Sequence, residues 1–213
     1  MMKKIIIAGC ALVACVGWAT LYHIPIMDSK IIVLAGKIIT EYAFEDDFED
    51  NNLNKWTTVE TGWSTTDAQK YSGTYSAYVD ADTTQRGLIK TLPSALTKAR
   101  ITFYARAQNT DSKRYLVFDP EYALVMVDSH FKYFDGEAYI NLPTDTTFIA
   151  ETWYKIRVDF DASANSLKYW IDDVYKGEVT DIAFASVTEI YFRSHVLANV
   201  DFWVDDVKMV GLE

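Results

Sequence analysis

Trp153-Tyr154-Lys155-Ile156-Arg157-Val158-Asp159-Phe160 is followed, after the turn Asp161-Ala-Ser-Ala-Asn165, by Leu167-Lys168-Tyr169-Trp170-Ile171-Asp172-Asp173. Two short runs of β-branched and aromatic residues, separated by turn chemistry, read as neighbouring antiparallel strands. Working outward, the same rhythm recurs every 8–12 residues. It predicts strands at Thr74–Asp80, Gly87–Thr91, Ala99–Ala107, Tyr115–Phe118, Ala123–Val127, Lys132–Phe134, Trp153–Phe160, Ser166–Ile171, Val174–Val179, Glu189–Arg193 and Asp201–Val210. Helical periodicity is missing after residue 43. The expected fold is all-β: a two-sheet antiparallel jelly-roll sandwich over residues 43–213, preceded by an N-terminal hydrophobic signal or anchor segment.

The chain has 213 residues, enough for one such domain plus an extension, and its 14 Tyr, 11 Phe and 6 Trp supply a core. Its net charge is −10, with residues 1–42 carrying +2 and the remainder −12. A surface this acidic argues against nucleic acid, whose binding depends on Lys and Arg displacing counterions. Both cysteines, Cys10 and Cys15, precede the domain, so neither a disulfide framework nor a thiolate metal site is expected in it.

Residues 1–26 have the layout of an export signal. Lys3 and Lys4 are followed by Ile5 to Ile26, where His23 is the one acidic or basic side chain. Three fates are open. Leu12-Val13-Ala14-Cys15 resembles a lipobox, in which Cys15 would be lipidated. Gly17-Trp18-Ala19 fits ordinary cleavage, and the run is also long enough to remain as a membrane anchor. Residues 27–42 read as a linker or an extra strand centred on Ile31–Ile39, which could also be donated to a neighbouring subunit.

Several elements resemble the concanavalin A-like (laminin G-like) superfamily and carbohydrate-binding-module jelly rolls. Phe44-Glu45-Asp46-Asp47-Phe48-Glu49-Asp50 leading to Trp56 is similar to the opening strand of those domains. Tyr71-Ser72-Gly73-Thr74-Tyr75-Ser76 resembles their Ser-Gly-x-x-Ser element, and Phe202-Trp203-Val204-Asp205-Asp206-Val207 the closing strand. The hairpin departs from the pattern, because Asp173 stands where the family usually has glycine. The resemblance implies an exported, surface-tethered domain, extracellular or at the cell surface, that binds a polysaccharide or glycan or mediates adhesion.

It also implies a structural Ca²⁺ between the first and last strands, with Glu49 and Asp205 as ligands; the alternative is a solvated acidic edge. A carbohydrate-binding patch is expected from two alternating rows, Tyr104, Arg106 and Gln108 on one strand and Tyr191, Arg193 and His195 on another, provided both lie on one sheet. The alternative is a polar sheet face with aromatic cross-strand pairs. No catalytic residues are assigned: the paired-carboxylate run of the fold's glucanases is absent. Two rival readings remain. One is a filament or envelope-layer subunit self-assembling through its N-terminal strand; the other is a divergent polysaccharide lyase using Arg106, His130, Tyr191, Arg193 and His195.

Overall fold

The computed structural model describes residues 22–26, 29–34, 37–40, 42–80, 86–118, 121–135, 137–182, 185–194 and 201–212. Cys15 and His195, and with them the signal segment up to residue 21, lie outside the described residues. Among those described, no helix is long and apolar enough to cross a membrane. β1 (Tyr22–Ile26), β2 (Ser29–Leu34) and β3 (Lys37–Thr40) form a small antiparallel sheet of their own. The apolar run Ile31–Ile39 is thus divided between the two strands of a hairpin, β2 and β3, where the sequence suggested one strand.

The sandwich follows. Its first strands are β4 (Phe44–Asp46), β5 (Thr58–Val59), β6 (Trp63–Thr66), β7 (Ser76–Val79), β8 (Arg86–Leu96) and β9 (Lys98–Ala107). Then come β10 (Arg114–Phe118), β11 (Glu121–Val127), β12 (His130–Phe134) and β13 (Tyr139–Asn141). β14 (Trp153–Asp161), β15 (Ser166–Ile171), β16 (Val174–Val179), β17 (Val187–Ser194) and β18 (Phe202–Gly211) complete it. A seven-stranded sheet runs β13-β12-β11-β10-β17-β8-β5. An eight-stranded sheet runs β16-β15-β14-β9-β18-β7-β6, with β4 also pairing β18. Both the all-β class and the two-sheet antiparallel architecture are as the alternation implied.

Period-2 alternation decides which side chains enter the core. On β9, Ile101, Phe103, Ala105 and Ala107 are buried, while Arg100, Thr102 and Tyr104 are only half-buried on the opposite face. The sheets meet through aromatic contacts: Phe103 against Phe192 at 4.9 Å and Phe118 against Phe160 at 5.2 Å. Tyr169 spans the interior and donates its hydroxyl to the Ala123 carbonyl, 2.9 Å away on the other sheet. Each buried aromatic contributes about 2–3 kcal/mol of transfer free energy, so this layer carries much of the stability.

The acidic opening segment owes its form to this core. Asp46 points inward and accepts from the Phe48 N–H (3.0 Å), Lys55 Nζ (3.1 Å) and the indole N–H of Trp56 (2.8 Å). Burial nevertheless raises its pKa, outweighing those hydrogen bonds. Trp56 is thereby fixed against Phe44 (5.0 Å) and Phe192 (5.8 Å). At the β15–β16 hairpin the missing glycine leaves the turn intact. Asp172 (φ 50) and Asp173 (φ 63) both take left-handed backbone, as a type I′ turn requires. Their strain is offset locally, since Asp172 accepts the Lys155 N–H at 2.9 Å and Asp173 pairs with Lys155 Nζ at 2.8 Å.

Candidate binding face

The outward side chains of the eight-stranded sheet line up in rows across the strands. The first row is Tyr78, Trp203, Arg106 and Trp153, on β7, β18, β9 and β14. Arg106 is nearly buried there, 8% exposed, with its guanidinium 4.7 Å over the Trp203 ring and its Nε donating to the Glu151 carbonyl at 3.1 Å. The next row sets Asp205, Tyr104 and Lys155 side by side. The third sets Lys208, Thr102, Arg157, Trp170 and Tyr175, and the fourth Val210, Arg100, Asp159, Lys168 and Glu178.

Over these rows lies Tyr71, from the loop between β6 and β7. Its ring stacks on Tyr104 with centroids 3.5 Å apart and planes 13° from parallel, and its edge meets Trp153 at 6.3 Å. Tyr71 stays 48% exposed, so an aromatic surface is held open above the sheet. Beside Tyr104 is a groove of about 410 Å³ lined by Tyr42, Arg100, Thr102, Lys155, Asp206, Lys208 and Val210. Arg100 and Arg157 each grip Asp159 through two N–H donors, at 2.8 and 2.9 Å and at 2.9 and 2.6 Å. Burial pushes the Asp159 pKa up, but the hydrogen bonds from Arg157 and Arg100 outweigh it and hold the carboxyl below its usual range.

Two carboxylates hold the Tyr71 loop. Asp205 is fully buried at the β-bulge of β18; its Oδ2 accepts the N–H groups of Tyr71 (2.9 Å) and Ser72 (3.1 Å), and its Oδ1 that of Asp206 (2.8 Å). Burial drives its pKa up to about 6 despite those donors. Glu49 Oε1 accepts from Thr74 (2.8 Å) and Tyr75 (2.9 Å), and hydrogen bonds from Tyr75 and Thr74 lower its pKa. Gly73 sits between them at φ +57, where a Cβ would lie 2.5 Å from the Glu49 carboxyl carbon. The Ser-Gly element is therefore a clearance requirement.

Glu49 and Asp205 do converge, then, but on the backbone of one loop. Among the described residues no three His, Cys, Asp or Glu side chains gather as a metal site would need. Glu49 Oε1 and both Asp205 oxygens face N–H donors and hold the loop.

The two carbohydrate rows need correction. β9 belongs to the eight-stranded sheet and β17 to the seven-stranded one, so Tyr104 and Arg106 lie on the opposite face of the sandwich from Tyr191 and Arg193. Alternation gives the face of each strand but not the sheet it joins. Gln108 extends the β9–β18 pairing, its N–H donating to the Asp201 carbonyl at 3.1 Å. Tyr191 lies under the Arg193 guanidinium (4.8 Å) and packs on a separate cluster of Tyr115, Val125 and Val127. The lyase set is divided likewise, with Arg106 on one sheet, Tyr191 and Arg193 on the other, and His130 3.6 Å from Asp145. Sequence reasoning missed Tyr71, Trp153, Lys155, Arg157, Trp170 and Tyr175. The signal was present in the outward half of β14 and β15, but it pointed nowhere until β14 was known to pair with β9.

No protein-family model matches this chain, and no curated protein does. Solved structures match its fold. One is a sialidase, at TM-score 0.63 and 12% identity, covering 86% of this chain and 21% of that one. This chain thus spans about a fifth of the sialidase's length. Another is an endo-β-1,4-glucuronan lyase from the fungus Trichoderma reesei, at TM-score 0.59 and 14% identity, covering 80% and 95% of the two chains. A third is domain 4 of an extracellular arabinanase from Geobacillus stearothermophilus, solved with arabinotriose, at TM-score 0.58 and 13% identity, covering 80% and 92%. At such identities the likeness is one of fold: the chain is a β-sandwich of the architecture these proteins share.

Proposed function

We propose that this chain is a non-catalytic carbohydrate-binding sandwich of the concanavalin A-like type, gripping a glycan on the outer face of its eight-stranded sheet. The observation that carries this reading is the Tyr71 ring, stacked on Tyr104, half exposed, and standing beside a groove lined with hydrogen-bonding side chains. Sugar rings present C–H faces to aromatic planes and hydroxyls to polar neighbours, and the face offers both. The arabinotriose complex of a domain with this fold is in keeping with it. In this reading the segment before β1, residues 1–21, exports the chain and tethers it to the membrane, so that the face meets extracellular polymer.

A glycan array probed with the full purified chain tests the reading. Binding is expected, and Tyr71→Ala should weaken it about tenfold, near 1.4 kcal/mol, with only a small fall in melting temperature from the lost stacking on Tyr104. An array on which no glycan binds, or a Tyr71→Ala variant that binds as well as the parent, would overturn it.

A further inference from the structure

The carbohydrate-binding reading leaves open which glycans the face accepts, and its charge narrows the choice. Residues 43–213 carry −12 overall, yet the groove lining sets Arg100, Lys155 and Lys208 against one carboxylate, Asp206. Beyond the groove, Arg157 shares Asp159 with Arg100, so two guanidiniums answer to a single carboxylate in the middle of the face. Lys155 turns to Asp173 and Lys208 to Asp206, at 2.8 and 3.4 Å. These are half-exposed pairs, worth about 0–1 kcal/mol each and readily exchanged for a ligand's carboxylate.

A second aromatic platform stands at the far edge. Tyr175 is 49% exposed and packs on Trp170 at 5.1 Å, and the Arg157 guanidinium lies 3.8 Å over the Trp170 ring. From Tyr104 on β9, Trp170 is two strands away and one row along, ~12 Å by strand spacing and rise; Tyr175 is one strand further. Lys155 and Arg157 on β14 therefore lie between two sets of rings that are too far apart for one sugar to bridge, with Arg100 on β9 and Lys208 on β18 flanking Tyr104. Resting on the carbohydrate-binding reading, we infer that the ligand is an acidic polysaccharide lying across the strands. Its rings meet Tyr71 at one end and Tyr175 at the other, with its carboxylates over Lys155, Lys208, Arg100 and Arg157.

The test measures affinities of the full chain for polygalacturonate, alginate and hyaluronan, each beside its own methyl ester, which keeps the backbone and removes the charge. At least one acid should bind about tenfold more tightly than its ester, with the preference shrinking as salt is raised. The double variant Lys155→Gln/Lys208→Gln should abolish the preference with at most a small fall in melting temperature, since both pairs are half-exposed. Tyr175→Ala should weaken binding of a hexasaccharide of that acid while leaving its disaccharide unaffected. If no acid binds better than its ester, or the double variant keeps the preference, the inference fails while the carbohydrate-binding reading stands, provided that neutral glycans bind the array. If no glycan of either kind binds, the carbohydrate-binding reading itself has failed.

Discussion

Asp46 is 1% exposed, and three donors converge on its carboxylate, among them the Trp56 indole. Its removal leaves buried donors unanswered, and such vacancies cost more than the bond itself contributes. Asp46→Ala should lower unfolding free energy by about 3 kcal/mol, and Asp46→Asn, which keeps one acceptor, by less; urea titration of both variants measures the difference. Gly73 acts through space it does not fill. Gly73→Ala would press a Cβ into the Glu49 carboxylate from a left-handed backbone, and should cost about 2 kcal/mol while displacing Tyr71. Glycan affinity should then fall with stability, whereas Tyr71→Ala lowers affinity with little loss of stability. Both residues sit in stretches that the sequence marks out; Asp46 takes its donors from within ten residues, whereas Gly73 meets Glu49 from across a separate stretch of chain.

At the scale of the element, the β15–β16 hairpin shows how a departure from pattern is absorbed. Two aspartates occupy left-handed positions, each with a partner on β14. Asp173→Gly should be neutral or slightly stabilising. Asp173→Val puts a β-branched side chain at φ 63 and should cost about 2 kcal/mol, read as a lower thermal midpoint. The long, strongly alternating strands were legible: Ser166–Ile171 and Val174–Val179 fall where the sequence put them, and β9 and β14 within a residue at each end. Short ones were not. Thr58–Val59, Trp63–Thr66 and Tyr139–Asn141 hold two to four residues each, too few for a period to register. The candidate face was half legible for another reason. Each strand reveals its own outward row, but the row that joins Tyr104 to Lys155 and Trp203 to Arg106 exists only after pairing.

For the molecule as a whole, two buried carboxylates give stability opposite dependences on pH. Asp205 titrates near 6 in the folded chain and near its ordinary value of 3.8 when unfolded. Between those limits the native state holds a proton that the unfolded chain has released. Stability therefore falls as pH rises through that window, by up to roughly 3 kcal/mol. Asp159 works the other way: its carboxyl is held below the usual range, so its contribution is present at neutral pH and lost on acidification below about 4. Unfolding free energies from about pH 3 to 7 should show a maximum on the acid side of neutrality. Asp205→Asn should reduce the decline above it, leaving the part due to Asp46, whose pKa burial also raises, and should leave the acid limb in place.

The pairing of β4 with β18 has a mechanical consequence. Phe44 lies opposite Met209 and Asp46 opposite Val207, so the strand that opens the sandwich and the strand that closes it leave from the same corner, antiparallel. Tension applied between those two ends loads the hydrogen bonds of this pair one after another, from Phe44 inward, and not all together. The sandwich should yield there at low force by unzipping.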